Sequence, residues 1–391
     1  MQCLDLHYCT KDRTEAIMSS IPWDDLAEED GYVKTDYEGG ALDEQELFWR
    51  DHQEWLQDRG YMLRPRYRPD WVPSWKDKPD VYWLLCEDGQ RRTVGRRFDP
   101  STWEILQIAM QWRSNMDATR ISDGVRVLMK CVIKSEHPHE VEIATFLSSE
   151  PLAANPQNHC IPIYDVLEVP DDPDKTILVM PLTRGFNRPC FQTVGEAIDF
   201  FNQFFEVRSR WIMTTTISTW QIHRAYNLCI NIMSLIGTEP CVSHWIYLHC
   251  MCSDCGRMNI MMEGTMYPNG WHPAQDSMKP DFTIYRKNEI YSRTERPPKY
   301  YLIDFGISRR YDPAQGPPLE DPINGGDKTV PEHQRRKGII PCNPFFTDIY
   351  YAGNMIRTEF LEVGFLYNLQ LECSYLSRVF RNRTSSILWQ I

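Results

Sequence analysis

The order of apolar runs between residues 80 and 182 constrains the fold more than any other feature of this sequence. The run VRVLMKCVI, at 125–133, predicts a strand, and EVEIATFLSS, at 140–149, predicts a helix. Two more strand-like runs follow, IPIYDVLEV and TILVMPL, with the turn PDDPDK between them. The order strand, helix, strand, strand indicates a mixed α and β region.

The pattern becomes helical after Phe191. In GEAIDFFNQFFE the apolar residues recur at spacings of three and four, which predicts an amphipathic helix. Two short strands are expected further on, at 260–262 and 300–303. A chain of 391 residues is long enough for two or three domains, or for one large domain with two lobes.

The first 75 residues differ in character from the rest. Residues 1–40 are acidic and patternless, and we expect them to form a mobile arm. From Leu42 onwards the apolar residues recur at helical spacing, until the prolines of RPRYRPDWVPSW end the helix in an extended strap. We expect this helix and strap to brace a core rather than to bind a peptide.

Charge and cysteine content exclude several functions. The net charge of −12 argues against a nucleic-acid partner, because binding to phosphates needs a clustered basic surface. The start, MQCLDLHYCTKDRTE, lacks the apolar core of a signal peptide, and no apolar stretch is long enough to span a bilayer. We therefore expect an intracellular protein without a membrane partner, whose thirteen cysteines are reduced thiols.

The strongest local motif is Asp304-Phe305-Gly306, which directly follows the apolar run YYLI. A carboxylate at the end of a strand, followed by a glycine that lets the chain turn, suits a phosphoryl-transfer enzyme that holds magnesium against nucleotide phosphates. Upstream, Asp254 and Asn259 stand five residues apart in DCGRMN. This is the spacing of a catalytic-loop carboxylate and a second metal ligand.

Further motifs stand in the same order along the chain. Lys130 lies within an apolar strand, where a charge is costly unless it is paired, and Glu140 opens the next helix, where an ion-pair partner belongs. Val330-Pro331-Glu332 looks like the end of an activation segment, with Glu332 28 residues after Asp304. An apolar helical pattern begins at Asp348.

Together these motifs resemble a eukaryotic-type protein kinase domain over roughly residues 117–361. Five segments are similar to the divergent kinase-like proteins of mushroom-forming fungi: MDATRISDG, NHCIPIYDVLEVPDDPD, NIMMEGTMYP, IDFGISRRYDP and CNPFFTDIYYAGN. The resemblance implies an α+β, two-lobed protein-kinase-like fold. After the N-terminal unit, 1–75, the small lobe would be 76–182 and the large lobe 183–391, with ATP between them.

The resemblance also implies the nucleotide site. Lys130 would anchor the phosphates of ATP and would be held by Glu140, although Glu142 is an alternative partner only two residues away. The hinge would run from Met180 to Leu182, beside the bound nucleotide.

The implied reaction is phosphoryl transfer from ATP, with Mg2+, to a hydroxyl group of an unknown protein substrate, Ser or Thr by family default. Asp254 would accept the proton of the substrate hydroxyl and orient it. Asn259 and Asp304 would hold the magnesium. Positioning and charge neutralisation would supply the rate.

The sequence departs from the family pattern near the phosphates and in the catalytic loop. No glycine occurs between Gly95 and Gly124, so the glycine-rich flap over the phosphates is missing. Cys252 and Ser253 stand where the family has the His and Arg before the catalytic Asp. We therefore do not expect activation through a phosphate docked on that Arg. The pair Arg309 and Arg310 is an alternative phosphate ligand, or simply a solvated charged turn.

Two segments do not fit the large lobe. Between residues 211 and 253 only Arg224 and Glu239 are charged, and the last helices of the lobe are incomplete because 30 residues remain after Leu361. Our hypothesis is that the insert, 207–252, and the tail, 362–391, are translated non-coding sequence. Sequencing of the mature transcript tests it.

Two other functions compete with an active kinase. The missing flap, His and Arg favour a catalytically impaired pseudokinase scaffold. A zinc-binding protein is the less favoured alternative. Its ligands would come from a cluster of His and Cys residues: His244, His249, Cys250, Cys252 and Cys255.

Overall fold

The structure is a computed structural model. It describes residues 42, 44–78, 86–89, 96–99, 104–107, 114–209, 250–251, 256–273, 279–281, 288–311, 315, 318–321, 329–330 and 341–362. The helices are α1 Glu44–Asp51, α2 Gln53–Asp58, α3 Glu140–Leu147, α4 Val194–Ser209 and α5 Pro344–Ile356. The first strands are β1 Tyr61–Leu63, β2 Arg96–Asp99, β3 Glu104–Gln107, β4 Asn115–Arg120, β5 Arg126–Ile133 and β6 Asp165–Glu168. The remaining strands are β7 Lys175–Pro181, β8 Arg184–Gly185, β9 Cys250–Met251, β10 Ile260–Met262, β11 Tyr300–Leu302 and β12 Arg309–Arg310. Within these described ranges, no helix has both the length and the apolar character needed to cross a membrane.

The fold is α+β, and its largest sheet has five antiparallel strands in the order β1-β4-β5-β7-β6. The strands predicted at 125–133 and in the two runs after helix α3 are present as β5, β6 and β7. The predicted helices at 140–149 and after Phe191 are also confirmed, as α3 and α4. The short strands expected at 260–262 and 300–303 are β10 and β11.

Both faces of this sheet are buried. Successive residues of a strand point to opposite faces, so Val127 and Met129 pack in one hydrophobic cluster and Leu128 and Val132 in another. The second cluster also contains residues of helix α3, of strands β10 and β11, and of helices α4 and α5. Burial on both sides explains why β5 reads as a continuous apolar run instead of an alternating one.

The N-terminal segment covers the first of these faces. The helix expected from Leu42 is present but is divided at His52 into α1 and α2, which bury Trp49 and Leu56 against the sheet. Residues 61–63 then form β1, which pairs with β4 and becomes an edge strand of the sheet. The sequence did not predict this strand, because three residues are too few to reveal a period of two.

Buried ion pairs attach the strap that follows β1. Arg64 Nε lies 3.0 Å from Asp117 Oδ2 in β4, and Arg66 Nε lies 2.8 Å from Glu46 Oε1 in α1. All four side chains are almost fully buried. A charge is tolerated there only when it is paired, so Arg64 and Arg66 are structural residues.

Residues 159–161 connect the region after helix α3 to strand β11. The Leu302 amide donates to the His159 carbonyl oxygen at 2.7 Å, and the Ile161 amide donates to the Leu302 carbonyl oxygen at 3.0 Å. Strand β11 also pairs with β10, and β10 pairs with β8. These backbone bonds place the end of β11, and therefore Asp304, close to helix α3.

Aromatic side chains pack helix α4 in the second cluster. Phe200 stacks on Phe186 and Phe204, with ring centroids 4.8 and 5.7 Å apart, and Phe201 contacts Phe360 just beyond helix α5. Helix α5 begins four residues before Asp348, at Pro344, which is a favourable residue for the first helical position. Asp348 itself is buried within the helix and does not begin it.

Candidate functional site

Lys130 is at the centre of a cluster of three charged side chains. Its Nζ contacts Glu140 Oε1 and lies 2.8 Å from Asp304 Oδ1. The Lys130, Glu140 and Asp304 side chains are 14%, 2% and 21% exposed. One ammonium group thus bridges two carboxylates in a mostly desolvated site. The sequence analysis predicted the contact of Lys130 with Glu140 but not its contact with Asp304.

Strand register and helix packing bring Lys130 and Glu140 together. Lys130 stands opposite Leu178 of β7, on the same face of the sheet as Leu128. Helix α3 packs on that face through Ile143, Ala144 and Leu147. Glu140 is one helical turn before Ile143 and Ala144, so its side chain lies on the same face of α3 and reaches Lys130.

Glu142, the alternative partner of Lys130, lies elsewhere. Its Oε1 accepts a hydrogen bond from Arg310 Nη1 at 3.2 Å, and its side chain is 63% exposed. A shift of two positions rotates a side chain to a different face of a helix, so Glu142 does not face the sheet. The structure therefore assigns the ion pair with Lys130 to Glu140.

Asp304 adopts an uncommon backbone conformation at the end of β11. Its φ is +64°, in the left-handed region that residues other than glycine seldom occupy. The Gly306 amide donates to Asp304 Oδ1 at 3.2 Å, and the Phe305 ring is buried in the second cluster. The chain turns sharply here, with the carboxylate directed to Lys130.

Asn259 lies beside this turn. Strands β10 and β11 pair with Ile260 opposite Leu302, and the Ile303 amide donates to the Asn259 carbonyl oxygen at 2.9 Å. Residues 259 and 304 therefore leave the same end of one antiparallel ladder. The Asn259 side chain is buried, at 3% exposure.

The electrostatics of the cluster favour charged Lys130 and Asp304. Burial alone would raise the pKa of Asp304, but the adjacent Lys130 ammonium and the Gly306 amide lower it below the ordinary value. Burial alone would likewise lower the pKa of Lys130, but the carboxylates of Asp304 and Glu140 raise it. Both groups are thus ionised at neutral pH.

Asp304 has one carboxylate oxygen that is available to a cation. Asp304 Oδ2 accepts no hydrogen bond from the described residues, which leaves one carboxylate oxygen for a cation. In the part of the chain that the structure describes, no group of three His, Cys, Asp or Glu side chains is arranged for a metal. Magnesium is usually bound by one or two protein carboxylates together with substrate phosphates, and Asp304 is the candidate carboxylate here.

The expected hinge residues, Met180 and Leu182, are buried in the second hydrophobic cluster. Met180 pairs with Leu128 across the sheet, and Leu182 lies directly after the end of β7. Both side chains belong to the same hydrophobic cluster as Leu128.

Several predicted residues lie outside the described residues. They include the proposed catalytic carboxylate Asp254 and also Glu332, His244, His249, Cys252 and Cys255. Strand β9, Cys250–Met251, pairs with β12, Arg309–Arg310, and precedes the segment that the sequence analysis predicts to be a catalytic loop.

The connection from β1 to β4 runs through residues 64–114. It includes the strap and the separate β2-β3 ladder. From the sequence we predicted only that the glycine-rich flap would be missing between Gly95 and Gly124. No short glycine-rich turn joins these neighbouring strands.

His137 is a site residue that the sequence analysis missed. Its Nδ1 lies 3.0 Å from the carbonyl oxygen of Gly306. A contact between a side chain and a distant backbone atom leaves no residue pattern, so only the folded structure reveals it.

No protein-family model matches this chain, and no curated protein matches it at a significant level.

Proposed function

We propose that this chain is a protein kinase-like phosphotransferase that uses ATP and Mg2+ to phosphorylate a hydroxyl group of a protein substrate, Ser or Thr by family default. The observation that carries the proposal is the cluster of Lys130, Glu140 and Asp304. A strand lysine paired with a helix glutamate, beside the aspartate of an Asp-Phe-Gly turn, is the arrangement that phosphoryl transfer in protein kinases needs.

Two lobes are part of the proposal. The five-stranded sheet with helix α3 would be the small lobe, and helices α4 and α5 with strands β8, β10 and β11 would belong to the large lobe. Residues 180–182 would link the lobes near the nucleotide. The position of Lys130 on the sheet and of Asp304 at the end of β11 supports this division, because the charge cluster then spans the two parts.

The side chains would act mainly by positioning and by neutralising charge. Lys130, held by Glu140, would bind phosphate oxygens of ATP. Asp304 and Asn259 would hold magnesium, which neutralises phosphate charge when it is bound. Asp254 would orient the substrate hydroxyl and accept its proton.

Nucleotide binding is the first test. We expect ATP with Mg2+ to raise the melting temperature of the wild type, and we expect Asp304→Asn and Lys130→Met to abolish this shift. Lys134→Met is the matched control, because Lys134 is a more exposed lysine whose Nζ contacts the surface residue Glu168 and a backbone carbonyl oxygen. The transfer of radiolabelled phosphate from ATP to a generic protein substrate, with Asp254→Asn as the inactive variant, then tests catalysis.

A pseudokinase scaffold is the second candidate. The long connection from β1 to β4 favours it, since backbone amides of a short glycine-rich loop would otherwise cover the phosphates. Binding of MgATP without any phosphate transfer supports the scaffold. The absence of a thermal shift in a protein that unfolds cooperatively excludes the proposed kinase activity.

A further inference from the structure

His137 connects helix α3 to the Asp304-Phe305-Gly306 turn. It lies in the turn before α3, where its amide donates to the Ile133 carbonyl oxygen at 2.9 Å and its carbonyl accepts from the Glu140 amide at 3.3 Å. Its ring nitrogen Nδ1 lies 3.0 Å from the Gly306 carbonyl oxygen. A carbonyl oxygen only accepts hydrogen bonds, so Nδ1 is the protonated donor in this contact.

The imidazole lies directly against the backbone of Gly306. A Cβ atom added to Gly306 would lie 2.9 Å from His137 Nδ1, and 3.2 Å from both Asp304 Oδ1 and Glu140 Oε2. Glu140 Oε2 is buried and accepts no hydrogen bond from the described residues. Three polar atoms from two separate segments thus converge on one glycine.

Gly306 is held at both of its peptide groups. Its amide donates to Asp304 Oδ1, and its carbonyl accepts from His137. Asp304 has a left-handed φ of +64°, a conformation that persists only when the surrounding contacts determine it. Without His137, the Gly306 carbonyl loses its contact with the segment that leads into helix α3.

We propose that His137 is a positioning residue that holds Asp304 toward Lys130 by fixing the carbonyl group of Gly306. The consequence of this positioning for catalysis rests on the function proposed above, because Asp304 matters for turnover only if it holds the magnesium that accompanies ATP. The coupling of Asp304 to helix α3 does not depend on nucleotide.

Three variants test this role. His137→Ala removes the donor, and His137→Asn retains an amide nitrogen close to the position of Nδ1. His139→Ala is the matched control, because His139 is an exposed histidine two residues away in the same turn. If His137→Ala does not fold, His137→Leu replaces it, since leucine has nearly the shape of asparagine and lacks the donor.

Steady-state kinetics with MgATP is the first measurement. We expect His137→Ala to lower kcat/KM by about 10- to 100-fold, as for other residues that orient a metal ligand. His137→Asn should recover most of this loss, and His139→Ala should match the wild type. A folded His137→Ala protein with unchanged kcat/KM overturns the proposal, since a purely structural role would change only the melting temperature.

Lysine labelling in the absence of nucleotide is the second measurement. Acetic anhydride should modify Lys130 faster in His137→Ala than in the wild type, relative to Lys134 in the same protein, because Lys130 then loses part of its pairing with Asp304. Mass spectrometry of the peptides gives the ratio. Faster labelling in a protein that binds no MgATP supports the role of His137 and overturns the proposed kinase function. Unchanged labelling overturns the role of His137.

Discussion

Lys130 Nζ lies 2.8 Å from Asp304 Oδ1, although the two residues are 174 positions apart in the sequence. The same ammonium group contacts Glu140, so it separates two carboxylates that would otherwise repel each other in a desolvated site. Neither carboxylate forms an ion pair with another Lys or Arg side chain among the described residues. The stability of this region and the proposed nucleotide site therefore depend on the same lysine.

Lys130→Met should destabilise the protein even without nucleotide. The substitution leaves the buried Glu140 and the partly buried Asp304 as neighbouring carboxylates, and we expect the free energy of unfolding to fall by about 3 kcal/mol. Urea denaturation followed by circular dichroism measures this change. Lys134→Met should cost no more than about 1 kcal/mol, because its ion pair is at the surface. Equal losses in both variants would contradict the importance of the buried cluster.

Glu140→Gln and Glu142→Gln should differ strongly in phosphate transfer. The first removes the buried partner of Lys130, and we expect kcat/KM for MgATP to fall by about tenfold or more. The second removes only an exposed contact with Arg310, so its kinetics should resemble those of the wild type. A larger effect of Glu142→Gln would show that the two glutamates have exchanged roles in solution.

Gly306→Ala should disrupt the charge cluster. The new Cβ would lie 2.9 Å from His137 Nδ1 and 3.2 Å from two carboxylate oxygens, so these groups must move apart. We expect an unfolding free energy lower by about 1 to 3 kcal/mol and a smaller thermal shift with MgATP. Gly195→Ala is the control, because the nearest atom to its added Cβ is at 3.7 Å. A Gly306→Ala protein with wild-type stability and an unchanged shift would be incompatible with this geometry.

Glu46→Ala should destabilise the N-terminal segment that covers the sheet. It leaves Arg66 as a buried cation without its carboxylate, and the expected loss of unfolding free energy is about 3 kcal/mol. Glu44→Ala, an exposed position in the same helix, should change stability by less than about 0.5 kcal/mol. Urea denaturation of both variants makes the comparison. If the two losses are alike, helix α1 does not depend on the buried pair.

The contribution of Asp304 to stability should disappear in acid. Burial alone would raise its pKa, but Lys130 keeps the pKa below the ordinary value of 3.8, so the unfolded chain takes up the proton at higher pH than the folded protein. The stabilisation is therefore complete above about pH 5 and decreases as the pH falls through the lowered pKa. The difference in unfolding free energy between the wild type and Asp304→Asn should shrink over this range.

The local elements could be predicted because their apolar residues repeat with a clear period. Strand β5 and helices α3 and α4 were predicted close to their observed bounds. Strand β1 was missed because its three residues carry no periodic signal, and its strand character comes from pairing with β4. Lys130 was expected to need a partner, because an unpaired charge in an apolar strand is costly.

The candidate site was only partly predictable. The sequence analysis predicted Lys130, Glu140, Asn259 and Asp304 as site residues. It left Glu142 open as an alternative partner of Lys130 and did not predict the contact of His137 with Gly306. Helix packing excluded Glu142, since only one face of α3 lies on the sheet. The role of Arg64 and Arg66 as buried ion-pair partners could not be predicted from the sequence either, because a Pro- and Arg-rich strap has no pattern that specifies its partners.

The sequence by itself determined the mixed α and β character, the main strands and helices, and the residue types available for the proposed phosphate and magnesium chemistry. These follow from local periodicity and from side-chain chemistry, which do not depend on distant parts of the chain. Only the tertiary structure decided that Lys130 bridges Glu140 and Asp304, that β1 completes the sheet, and that His137 contacts Gly306. Strand register and helix packing set the distances between such residues, and both arise only when segments far apart in the chain bury their apolar faces together.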